Sequence, residues 1–402
     1  MLTIEQDSEV RHPLLQLGFR PLFLSALIGS AVLTALWLAI YGMNFNLLRE
    51  DYPFISWHAH EMIFGYATAV VSGFVLTAVR NWTGYPTAVG WSLLLLVLLW
   101  WLGRLLPFIP WVPLGYLGVH EALFMGLVVF FALRPVIRVR QWKQLVIFLV
   151  IGGLGLASAL FHLGLSGFLD SGQQLGLYLG LYLFVALILI MGRRVIPGFI
   201  ENAIGGGFRT RNNLRLDWLS RLTFLLFLLA ELMALVTGNG TSALLSAMFA
   251  LTLFVLHLFR LSGWHHRDLW HHPLLWSLFL GYGWIAVGFL LKFLSVALDF
   301  NPWAAVHAFT YGGVGLMTAG MMARVTLGHT GRNVFAPPAS LGVFFGILVS
   351  GAFVRVFMVW LAPDAYELWI VAAQLLWIFA FCGLVVVLAP MLIRPRVDGL
   401  PG

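Results

Sequence analysis

The sequence predicts an all-α, polytopic transmembrane helical bundle of about twelve spans, and three observations carry that expectation. Of 402 residues, 61% are hydrophobic and only 10% are charged. Mean hydropathy is +0.93, outside the range of a water-soluble domain. Runs of about twenty apolar residues recur from end to end, each long enough to cross a hydrocarbon core of roughly 30 Å as a helix. Lys and Arg gather at alternate connections, as a fixed orientation in the bilayer requires.

In chain order, the stretch before Gly18 is polar and lacks a small-residue cleavage site behind an apolar core, so no removable signal peptide is expected. Spans are then predicted near about 20–42, 57–79, 87–106, 113–134, 142–163, 174–196, 215–237, 241–261, 274–298, 303–326, 339–362 and 367–393. Residues 1–402 thus read as a single integral membrane domain. The basic clusters are Arg134, Arg138, Arg140 and Lys143; Arg193 to Arg215; Arg260 and Arg267; Arg324 and Arg332; and Arg394 and Arg396. Connections around 107–112, 164–173, 238–241 and 299–302 carry no Lys or Arg, and Arg49 is the one basic residue assigned to a far-side connection. Both termini are therefore expected in the cytoplasm. The single cysteine, Cys382, excludes an internal disulfide and any multi-cysteine metal site. A net charge of +7 would suggest nucleic acid in a soluble protein. Here it marks the inner face, and no nucleic-acid partner is expected.

Ionisable residues are expensive in hydrocarbon, and they mark function by default. On this topology His58, His60, Glu61, Arg104, His120, Glu121, His162, Glu231, Lys292, His307 and Arg355 all fall in the outer half. They come from eight different spans, so a shared depth points to one site. His257 is the main inner contribution.

WHAHEMIFGY, from Trp57 to Tyr66, is the densest stretch. His58 and His60 are two apart, so on a helix they point about 200° away from one another. They could ligate different centres, or be interfacial histidines near headgroups. Glu61 could fix an imidazole tautomer or move protons. His307 is followed by Tyr311 and by glycines at 312, 313, 315 and 320, and His60 by Gly65, Ala69 and Gly73. Such small faces would admit a flat macrocycle beneath a histidine, or serve ordinary helix packing. Neutral imidazole is the usual haem ligand where cysteine is absent. The candidate metal ligands are His58, His60, His120, His162 and His307. Arg104, Lys292 and Arg355 would complement haem propionates or snorkel to the interface. Glu61, Glu121, Glu231 and Tyr311 are the candidate catalytic groups, the carboxylates as proton relays. HEMIFG, HEALFMG and HAFTYGG, at His60, His120 and His307, echo one another as a weak repeat. The run WHHRDLWHHP, with His265, His266, His271 and His272, reads as a solvated connector rather than a metal site. Met317, Met321 and Met322 read as packing.

Four stretches then resemble a known family: GFRPLFL from Gly18, WHAHEMIFGYATAVVSGFVLTAVRNWTG from Trp57, GRRVIPGF from Gly192 and HAFTYGGVGLMTAGMMARVTLGHTGR from His307. The resemblance is to the NnrS proteins, bacterial inner-membrane proteins of the nitric oxide response that contain haem and copper. It spans nearly the whole chain. Arg80 stands where the family pattern has proline, a departure at the cytoplasmic turn. The resemblance implies haem b, one or two copies, with copper or non-haem iron as a second metal, and a link to nitric oxide. Haem–copper oxidases and nitric oxide reductases offer a fainter analogy, since they too are twelve-span proteins with an H-x-H pair.

The leading expectation is a haem-dependent membrane protein that binds and detoxifies nitric oxide, most concretely as an oxidoreductase that makes nitrous oxide. Electrons would come from a quinol or a cytochrome. One alternative is a non-catalytic haem or copper protein that binds or senses nitric oxide or protects metal centres. Another is a secondary transporter, for which twelve spans is a common count. Stoichiometric binding without turnover would separate the first from the second.

Overall fold

A computed structural model describes residues 12–400. Among them the chain is helical, with eleven helices long and apolar enough to cross a membrane. These are α1 (Phe19–Gly42), α2 (Phe54–Thr83), α3 (Trp91–Phe108), α4 (Leu114–Arg138), α5 (Trp142–Leu165), α6 (Gly172–Ile204), α7 (Leu214–Thr237), α8 (Gly240–Trp264), α9 (Pro273–Ala297), α11 (Ser340–Leu361) and α12 (Pro363–Ile393). The twelfth predicted span is α10, residues 302–329, which is helical throughout. Its glycines, threonines and histidines make it less apolar than the rest. Large apolar side chains such as Leu149, Leu229 and Val386 project outward, as a lipid-facing surface requires.

The helix ends follow local chemistry. Asn213, Asn239 and Asn301 cap α7, α8 and α10 through side-chain oxygens that accept backbone N–H groups. α2 stops at Gly84, whose φ of 73° favours glycine and whose N–H bonds Arg80 O at 2.9 Å. Arg80 lies inside that last helical turn rather than in a connection, and its Nη1 donates to Gln16 O at 2.9 Å. α6 runs 33 residues, about eight beyond the expected end, so GRRVIPGF is helical and not a loop. Arg193 and Arg260 both pair with Asp217, at 2.9 and 3.0 Å, so one carboxylate is shared by two residues of the basic clusters.

Four stretches widen beyond α geometry. Leu38–Gly42, Glu61–Ala67, Ala308–Gly315 and Val354–Met358 are π-helical. A π turn takes one more residue per loop, leaves carbonyls to be satisfied by other donors, and is frequent at functional sites. The second and third begin immediately after His60 and His307, so two of the three echoing motifs share a backbone feature. The third motif, at His120, lies in regular helix.

The chain divides into two compact units. The first comprises Met1–Gly180, Met322–Val334 and Phe381–Gly402; the second comprises Leu181–Met321 and Phe335–Ala380. Each has its own buried carboxylate–cation group.

Candidate functional site

In the first unit, His60 ends the regular part of α2 and is buried. Its ring lies against Phe161 of α5, centroids 4.8 Å apart, and edge-on to His162 at 5.0 Å. Nδ1 is 3.2 Å from Glu61 Oε1. A carboxylate accepts, so Nδ1 carries the proton and Nε2 presents its lone pair. Nε2 has no partner in the protein, nor does either ring nitrogen of His162. A carboxylate behind an imidazole whose Nε2 is available is the usual arrangement around a metal-ligating histidine. His58 points elsewhere, as the two-residue spacing predicts, and stacks on Trp37 at 4.3 Å and 7°.

Glu61 is fully buried. Its Oε2 lies 2.8 Å from Arg104 Nε of α3, an ion pair not aligned as a hydrogen bond. The same guanidinium donates from Nη2 to Glu121 Oε1 of α4. Three helices therefore meet on one charge chain, Glu61–Arg104–Glu121. The π turn explains how Arg104 fits. Its loosened carbonyls are recaptured from α3, Gly65 O accepting from Trp100 Nε1 at 3.0 Å and Phe64 O facing Arg104 Nη1 at 3.5 Å. A Cβ on Gly65 would stand 2.8 Å from Arg104 Nη1 and 2.9 Å from Glu61 Oε2, so this glycine makes room for the ion pair. Tyr52, just outside α2, buries its hydroxyl without a partner in the protein, packed on Phe161. Burial pushes that phenol well above its usual value, with Glu61 the next influence. His120 is committed to structure, since its Nε2 donates to Leu99 O at 2.7 Å.

In the second unit, Glu231 of α7 receives three donors: Lys292 Nζ at 2.5 Å, Ser246 Oγ at 2.6 Å and Tyr182 OH at 3.2 Å. His307 donates Nδ1 to Trp303 O at 2.8 Å. Tyr311 gives its hydroxyl to Ala373 O at 2.9 Å and packs edge-on to Trp377 at 4.6 Å. Arg355 lies in the fourth π stretch, half-buried. Deeper toward the other helix ends, His257 Nδ1 bonds Tyr282 OH at 2.9 Å.

The structure thus gathers His60, Glu61, Arg104, Glu121 and His162 in one cluster and Glu231 with Lys292 in another. Among the described residues, no three His, Cys, Asp or Glu side chains converge as a metal site would require. The glycine faces are filled by side chains: Gly73 by Phe23, Gly312 by Trp284 and Gly315 by Trp377. Tyr52, Trp100, Tyr182 and Ser246 were not singled out by the sequence. Nothing distinguishes them there from interfacial aromatics and an ordinary helix serine. In WHHRDLWHHP, His266 Nδ1 accepts from Asp268 N and His265 Nε2 from Trp270 Nε1, both at 3.2 Å. His266 thereby caps a short 3-10 turn between α8 and α9.

Helices of this length and apolarity, with ionisable chains sealed among them, define a multi-pass membrane protein built around buried polar chemistry. Residues 13–396 match the NnrS protein family, and the chain belongs to it. No curated protein matches the chain.

Proposed function

We propose that this protein binds nitric oxide at a haem held through His60, with His162 beside it, and detoxifies it. In its most concrete form, two molecules of nitric oxide, two electrons and two protons yield nitrous oxide and water. Family membership supports the link to nitric oxide; haem b and a bacterial inner membrane are what the resemblance implies, and the Lys and Arg distribution supports both termini inside. The observation that carries the site is His60, buried, with Nδ1 held by Glu61 and Nε2 without a partner beside the unpartnered His162. Buried polar atoms of this kind require an explanation, and imidazole nitrogens are the donor set a haem iron takes.

The same geometry reassigns other residues. Arg104 and Lys292 are already neutralised by carboxylates, so they are structural cations here rather than propionate partners. The haem would supply an iron that binds nitric oxide and carries an electron. Glu61 orients His60. Two carboxylates around one guanidinium leave a single negative charge, so Glu61–Arg104–Glu121 becomes neutral on taking up one proton. A buried group with that balance can hold a proton and release it to a reacting ligand. Tyr52 adds a hydroxyl at the same cluster. Nitric oxide is apolar, and it reaches such a site through lipid.

A second reading, stoichiometric binding without turnover, has one observation in its favour. A second metal centre of copper or non-haem iron would need convergent ligands, and no three such groups converge among the described residues. The test begins with a visible spectrum, a pyridine haemochrome assay and elemental analysis of purified protein. Absence of haem would refute both readings. His60→Ala and His162→Ala should each lose or shift a haem band, while His265→Ala should not. Anaerobic consumption with an electron donor should give one nitrous oxide per two nitric oxides; consumption without that product selects binding alone.

A further inference from the structure

Arg20 lies in the first turn of α1, within GFRPLFL, and is completely buried. Its Nη1 donates to Leu392 O and to Arg394 O, each at 2.8 Å. Its Nε and Nη2 have no acceptor in the protein. These two nitrogens form one edge of the guanidinium, the edge that grips an oxyanion with two parallel hydrogen bonds. Its charged neighbours, Arg396 and Arg332, are also cations. Arg396 forks onto Asp398, Nε to Oδ1 at 2.9 Å and Nη2 to Oδ2 at 2.6 Å, and gives Nη1 to His329 O at 3.1 Å. Arg332 lies under the influence of Arg394. Four guanidiniums therefore share one carboxylate, and that carboxylate is taken by Arg396.

A buried cation without a counter-charge is strongly disfavoured. We propose that Arg20, Arg332 and Arg394 form a binding site for a phosphate group. That group is the diester of an anionic lipid headgroup or a free phosphate. The two non-bridging oxygens of the tetrahedral phosphate can meet the open edge of Arg20, and their remaining lone pairs can accept from Arg332 and Arg394. The site lies where α1 starts and α10 and α12 end, the level at which basic residues meet headgroups. It gives a role to GFRPLFL and to the HTGR stretch that follows α10, neither of which touches the histidine cluster.

The test uses the full-length protein, stripped of lipid in a neutral detergent, with thermal unfolding and native mass spectrometry as readouts. The probes are inorganic phosphate against chloride at equal ionic strength, and phosphatidylglycerol against phosphatidylcholine. At least one anionic phosphate probe should raise Tm by about 3 °C or more. A response to phosphatidylglycerol alone assigns the headgroup; a response to both assigns any accessible phosphate. Arg332→Gln, at a partly buried position just past the end of α10, should fold and lose more than half of the response. Arg20→Lys, which keeps the charge but not the fork, should do the same. No response beyond chloride and phosphatidylcholine overturns the proposal, as does a full response in both variants.

Discussion

Replacing Arg104 by methionine removes the cation that lies between two buried carboxylates, and the structure sets the scale of the damage. Glu61 has no exposed side-chain surface, and those of Arg104 and Glu121 are only 4% and 6% exposed. Deleting one member of a buried ion pair costs about 3–5 kcal/mol, because the charge left behind has lost both its partner and its water. Here two carboxylates are left, so the upper part of that range applies, a fall in Tm of about 10 °C. The same principle predicts a rescue. Glu61→Gln with Arg104→Met and Glu121→Gln removes every charge together, and should recover more than half of the loss. Thermal unfolding in detergent, followed by tryptophan fluorescence, reads both variants. An Arg104→Met protein within 2 °C of wild type, or a triple variant no better than the single, would refute the reasoning.

Lys292→Met should cost less, about 2–3 kcal/mol, because Ser246 and Tyr182 still donate to Glu231; adding Glu231→Gln should restore most of it by the same assay. Gly65→Ala drives a methyl into Arg104 and Glu61, and should lower Tm while shifting any haem band, whereas Gly84→Asn should leave the band unchanged. The Arg49 hydrogen bond holds Asp51 below its usual 3.8, so this pair stabilises the folded protein above that pH and its contribution disappears as pH falls below it. Asp51→Asn should therefore flatten the acid limb of a Tm–pH curve by a few tenths of a kcal/mol, the carboxylate being half exposed.

Composition made the bundle legible, because hydropathy reports depth directly. The histidine and carboxylate positions were legible for the same reason. Partners were not. Glu231 and Lys292 are 61 residues apart, and depth says nothing about which way each helix face turns. Arg104 and Lys292 looked like cations waiting for an anion from outside, whereas each is met by a carboxylate from another helix. The glycines after His60 and His307 looked like a slot for a flat ring. In the fold, Arg104, Trp284 and Trp377 occupy that space, since a small residue signals close approach without naming what approaches. The π turns left no mark in hydropathy, because an extra apolar residue in an apolar run changes no average.

That extra residue at Glu61–Ala67 means the contacts of α2 are set by chain length as much as by side-chain choice. Deleting one residue there would let α2 close into regular helix with its apolar character intact. Because the bulge absorbs the extra residue, the faces on either side would keep their directions, while the carbonyls of Phe64 and Gly65 would return to the helical ladder. Trp100 and Arg104 would lose the acceptors that draw α3 toward Glu61. Point substitutions across the same stretch leave those carbonyls where they are. A length change is therefore the sharper probe of this helix.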